Sequence, residues 1–135
     1  MAQRGWSLGF FGLFGRSPAL REFDKALRAA DLHPKLVPEA VKLAALGLID
    51  DHMRGGEPSP QAYAGTAEIL SYCMLGAEHF AGDNGEALAA KVERRIETAL
   101  GAGVSLDAQL VLLALHARVV QPSVVEAFQL ESGMD

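Results

Sequence analysis

The sequence predicts an all-α protein: a compact bundle of about six helices around one central apolar helix, preceded by an aromatic, glycine-rich N-terminal arm. Three observations carry this expectation. Apolar residues recur at three- and four-residue intervals through most of the chain, no segment alternates as a half-buried strand would, and helix-start chemistry stands at the head of most of the periodic runs. Half of the 135 residues are hydrophobic and 21% are charged, enough apolar material for one globular core. The chain divides into an arm over residues 1–16, a single helical domain over 17–130 and a short tail over 131–135.

Each helix is placed by its punctuation. Ser17-Pro18 supplies an N-cap and a proline at the first helical position, after which Leu20, Phe23, Leu27 and Ala30 share a face as far as Leu32-His33-Pro34. Pro38 opens a second helix with Val41, Ala45, Leu48 and His52 on one face, closed by Gly55-Gly56. Ser59-Pro60 starts a third, whose stripe of Tyr63, Ala67, Leu70, Met74 and Ala77 runs up to Gly82. Asp83 and Glu86 have the spacing of a capping box for a fourth helix carrying Leu88, Val92, Ile96 and Ala99. Ser105 caps the fifth, which is apolar nearly all round: Leu110, Leu113 and Leu115 leave no fully polar face, so it is expected at the centre. Ser123 and Glu126 form a capping box for a short last helix. Residues 33–43 echo 121–130, and shared helix-start chemistry explains the likeness better than duplication does.

The arm reads differently from the body. Trp6, Leu8, Phe10, Phe11, Leu13 and Phe14 are set among Gly5, Gly9, Gly12 and Gly15, and the run holds three of the six Phe residues and the only Trp. Six large apolar side chains in nine positions form a patch larger than a monomer usually leaves open, so they need a cover. Arg4 and the following residues imitate a minimal signal sequence, but no small-residue cleavage site follows. Beside the arm, Arg16, Arg21, Lys25 and Arg28 form a basic stripe opposite the Phe23/Leu27 face, with Glu22 and Asp24 partly offsetting it. Aromatic insertion next to basic residues is how peripheral proteins hold anionic lipid, at about 1 kcal/mol per basic residue.

Other chemistries find little footing. A net charge of −5 argues against nucleic acid as a partner. No Glu is followed by His at the third position, so a di-iron bundle site is missing, and no metal and no cofactor are expected. Cys73 is the lone cysteine, which forbids an internal disulfide and, in an apolar helix, suits a buried thiol better than a nucleophile. Glu68, Tyr72 and His79 fall within about 40° of one another if the third helix is continuous, a polar face of acid, phenol and imidazole. Gln109 and His116, seven apart, are expected to meet one neighbouring helix as a polar pair.

The resulting expectation is a non-enzymatic helical interaction module, cytoplasmic, acting through contact with a protein partner or by self-association, with the arm involved. Two other readings stay open. One is a peripheral membrane protein anchored by the arm and the basic first helix. The other is a small-ligand binder or enzyme built on the Glu68/Tyr72/His79 face.

Overall fold

The computed structural model describes residues 17–54, 56–102 and 105–130. Within them the chain forms seven α-helices and no strand: α1 (Pro18–Ala29), α2 (Glu39–Met53), α3 (Pro60–Leu75), α4 (Ala77–Asn84), α5 (Glu86–Ala102), α6 (Leu106–His116) and α7 (Pro122–Phe128), with a 3₁₀ turn at Pro34–Leu36. The arm over residues 1–16 and the tail over 131–135 lie outside the described residues.

The three serine starts behave as N-caps. Ser17 Oγ accepts from the Leu20 N–H at 3.2 Å, Ser59 Oγ from Ala62 at 3.2 Å and Ser105 Oγ from Ala108 at 3.1 Å. Each satisfies a donor that the first helical turn leaves without a partner. The two expected capping boxes do not form. Asp83 lies inside α4, and α5 begins only after Gly85; Ser123 lies inside α7, whose N-cap is Gln121. In both places a residue with stronger backbone preference sets the boundary, a glycine at positive φ or a proline at the first helical position.

The break between α3 and α4 is the main departure from the sequence pattern, which predicts one helix through residue 82. Gly76 takes φ +92° and ψ 160°, a region that is essentially glycine's alone. The broken end of α3 then becomes a seat for α7. The Gln121 N–H donates to the Cys73 carbonyl at 2.8 Å, and Gln121 Nε2 donates to the Met74 carbonyl at 2.9 Å. Carbonyls that a continuous helix would have used internally are satisfied by the far end of the chain.

Helix α3 packs against α1, α2, α4, α5 and α6, while α6 packs against α2, α3 and α5. The apolar α6 is therefore central, and α3 shares the position with a run of seven buried residues from Thr66 to Cys73, Glu68 excepted. Within α6, Leu110 is fully buried, Leu113 partly so, and Leu112 is 47% exposed. Uniform apolarity on that helix thus covers a core face and an outward face together. On α2 the buried residues are Val41, Lys42, Ala45 and Ile49, and His52, which shares the face of Val41 and Ala45 by period, is exposed. Gln109 and His116 are also exposed, so they do not form the expected polar pair against a neighbouring helix.

Four non-glycine residues at helix ends adopt the left-handed conformation: Asp31 (φ 64°), Arg54 (φ 55°), Arg118 (φ 62°) and Gln129 (φ 54°). After α1 the turn is closed by the Leu32 N–H donating to the Leu27 carbonyl at 2.9 Å, with Leu32 buried beneath it. Ala30, at the end of α1, has its carbonyl held by Ser71 Oγ of α3 at 2.9 Å and Asn84 Nδ2 of α4 at 3.1 Å.

Gly76 and Gly85 make a matched comparison. Both hold nearly the same positive-φ conformation, but a Cβ at Gly76 would come within 3.4 Å of Ser123 Oγ whereas one at Gly85 meets open space. Because 3.4 Å is ordinary van der Waals contact, Gly76→Ala and Gly85→Ala are each expected to cost about 1–3 kcal/mol in urea denaturation, from the positive-φ strain that both share. A loss below about 0.5 kcal/mol at either position would show that its turn accepts a side chain without strain.

Candidate functional site

The polar face expected on the third helix does not assemble. Because the helix breaks at Gly76, His79 belongs to α4, where it is exposed and pairs with Asp83 at 3.0 Å one turn on. Tyr72 is buried, edge-on to Phe80 and Phe128, and its hydroxyl donates to Glu93 of α5 at 2.7 Å. Burial first, then this hydrogen bond to a carboxylate, holds the phenol proton well above its ordinary range. Glu68 turns to Arg95. The three groups therefore look to three different partners, and the stripe geometry that suggested a shared site depended on a helix continuity the chain does not have.

Glu68 is part of a junction that the sequence did not disclose. Arg95 of α5 donates from Nε and Nη2 to the two carboxylate oxygens of Asp107 on α6, at 3.1 and 2.8 Å. Its Nη1 donates to Glu68 Oε1 of α3 at 3.2 Å, and Nη2 also reaches the Gly65 carbonyl at 3.1 Å. One guanidinium so joins three helices, using the planar fork that only arginine has. Gly65 permits the approach, since a Cβ there would sit 3.3 Å from Nη2. All three side chains are about three-quarters buried, at 24%, 24% and 26% exposure for Arg95, Glu68 and Asp107. Arg95→Lys keeps the charge but loses the bidentate grip. It should lower stability by about 1–3 kcal/mol, measured by chemical denaturation, and a loss below about 0.5 kcal/mol would mean the network is no more than a surface ion pair.

Cys73 is fully buried, and burial alone pushes its thiol up to about 12 from an ordinary 9.0. A protonated thiol in an apolar core is a poor nucleophile. The raised value has a stability consequence. Below pH 9 the thiol is protonated whether the chain is folded or not. Between about 9 and 12 the unfolded chain loses the proton that the folded chain keeps, so stability falls as pH rises. Urea midpoints should decline through this window in the wild type, and more shallowly in Cys73→Ala; parallel declines would remove the thiol as a cause.

Among the described residues no group of three or more His, Cys, Asp or Glu side chains is placed to hold a metal ion. No single helix among them is long and apolar enough to cross a membrane. On α1, Arg21, Lys25 and Arg28 are exposed opposite the fully buried Phe23 and Leu27, with Lys25 paired to Glu22 at 3.3 Å. Arg16 and the aromatic residues Trp6, Leu8, Phe10, Phe11, Leu13 and Phe14 lie outside the described residues.

Among the described residues, three surface grooves can be compared. One, between α4 and α5, is lined by small residues with Glu78, Glu86 and Glu93. A second lies beside the start of α1, among Pro18, Pro58, Pro60 and Tyr63 with Glu22 and Glu57. The third differs in having no charged residue among those that line it. It has a volume of about 470 Å³ and is cut by the end of α5, the length of α6 and the end of α7, where Val111, Leu115 and Phe128 line it and Leu100 and Leu112 are exposed. At 46% and 47% exposure, Leu100 and Leu112 are, with Leu36, the exposed large hydrophobic residues of the described structure. Helical periodicity places Leu112 on the same all-apolar helix as the core residues, so the sequence signalled the groove only as an excess of leucine.

Comparison of the chain with protein-family models, with curated proteins and with solved structures finds no match in any of the three.

Proposed function

We propose that this chain is a non-enzymatic helical interaction module that works by protein–protein contact, including contact between copies of itself, with the N-terminal arm as one of the contacting elements. The observation that carries the reading is an apolar excess in two places. The bundle leaves two leucines nearly half exposed on one apolar groove, and the sequence adds six large apolar side chains in residues 6–14 that need a cover of their own. The potential acid, phenol and imidazole are each engaged elsewhere, which takes away the geometric support for a small-ligand or catalytic face on α3.

A second reading has one specific observation in its favour. Arg21, Lys25 and Arg28 form an exposed face on the helix that directly follows the arm, an arrangement suited to an anionic lipid surface. The chain's net charge of −5 opposes it, because the body as a whole is repelled by such a surface.

Deleting residues 1–15 separates the readings. Protein contact predicts a fall in mass by light scattering, or loss of a partner, with the helical circular-dichroism signal intact. Loss of salt-sensitive binding to vesicles rich in phosphatidylserine would instead establish the membrane reading. A monomer that merely loses thermal stability would show that the arm completes the protein's own core, and no change in any of the three would remove the arm from the function.

A further inference from the structure

We infer that α7 is a hinged lid: it pivots on Gln121 while the other helices stay folded, and lifting its tip widens the groove beside α6 into a larger apolar cleft.

The polar anchoring of α7 is confined to one end. Each of the other six helices is bonded to a neighbour through a side chain. Lys42 to Asp24 joins α2 to α1, Ser71 and Asn84 join α3 and α4 to the Ala30 carbonyl, and Arg95 joins α5 to Glu68 of α3 and Asp107 of α6. Among the described residues no ion pair or side-chain hydrogen bond links Pro122–Phe128 to another helix. The polar ties come from Gln121, just before the first turn, whose N–H and Nε2 donate to the Cys73 and Met74 carbonyls.

The far end is held by apolar contact. Val124, close to Gln121, is the one buried residue among the seven of α7. Beyond it Phe128 is only partly buried and meets Tyr72 edge-on at 6.2 Å, and Leu130 rests against the core at 9% exposure. From Gln121 to Phe128 the helix is roughly 10 Å long, so a rotation of about 30° at the pivot carries its tip about 5 Å.

That tip is a wall of the groove. Phe128, Gln129 and Leu130 line it together with Val111, Leu112 and Leu115 of α6, so the volume of about 470 Å³ belongs to the closed lid. Lifting Phe128 uncovers an edge of Tyr72, a ring that is 2% exposed when the lid is down. The uncovered surface is then continuous with the exposed Leu100 and Leu112. No charged side chain lines the groove, and exposing more apolar area to water is unfavourable, so the closed form dominates. The lid thus sets how much apolar surface the molecule shows.

Native-state hydrogen exchange on the full chain tests the hinge. Amides of residues 124–130, corrected for intrinsic rate, should exchange about a hundredfold faster than those buried in α3 and α6, and their rates should stay flat as urea rises below the unfolding transition. Ile49→Val, at a fully buried position on α2, should speed exchange in α3 and α6 by about threefold to tenfold and leave residues 124–130 unchanged. Phe128→Ala, which removes the ring from the tip, should raise the affinity for anilinonaphthalene sulfonate by about tenfold with the far-ultraviolet circular dichroism intact, and adding Leu112→Asp should cancel that gain. If residues 124–130 exchange only in step with α3 and α6, responding alike to urea and to Ile49→Val, α7 is part of the core and the inference is overturned. If α7 opens by itself but Phe128→Ala gains no dye binding, the lid covers no apolar cleft and the inference fails as well.

Discussion

A single backbone requirement organises this fold. The chain needs to leave the helical path at residue 76, and it does so at φ +92°, where only glycine is comfortable. Had the helix continued, α4 would extend away from the core and the carbonyls of Cys73 and Met74 would be spent within it. The turn instead brings Phe80 back against Tyr72, opens the two carbonyls to Gln121, and fixes where α7 must sit. The buried phenol, the seat of the last helix and the end wall of the apolar groove all follow from that one change of direction.

Polar side chains then set the register between helices that hydrophobic contact alone would leave loosely specified. Arg95 does this for α3, α5 and α6. Lys42 does it for α1 and α2: its side chain is 5% exposed, and its ammonium pairs with Asp24 at 3.2 Å and Glu39 at 3.5 Å. Neither charge is buried without a partner, which is the condition under which such groups are tolerated in a core. Both act between helices, so each restricts how the apolar faces can slide past one another.

The legibility of the sequence follows the range of the interaction. Ser17, Ser59 and Ser105 were readable as caps because each acts on an N–H three residues away. The inner face of α5 was readable from Val92, Ile96 and Ala99 because helical period alone places them. Long-range chemistry was not readable. Asp83 and Ser123 carry the right local spacing, yet Gly85 and Pro122 fixed the boundaries instead. His52 has the right period, yet Ile49 and Lys42 fill the space beneath α2. The candidate face of Glu68, Tyr72 and His79 failed for the same reason, since one glycine reoriented the third member and two cross-helix partners claimed the others. The apolar groove was invisible because period cannot tell which side of an all-apolar helix its neighbours cover.

The Ala30 carbonyl carries a consequence for how the molecule opens. It is the shared acceptor for Ser71 on α3 and Asn84 on α4, so the end of α1, beyond its own closing turn, is tied to two other helices. Fraying α1 from that end would take the acceptor from Ser71 and leave Asn84 only the Phe80 carbonyl of its own helix, and lifting α4 would remove one of the two donors on Ala30. Local fluctuations that release one of these helices are thereby tied to release of the others, so α1, α3 and α4 belong to one cooperative unit whose amides exchange together.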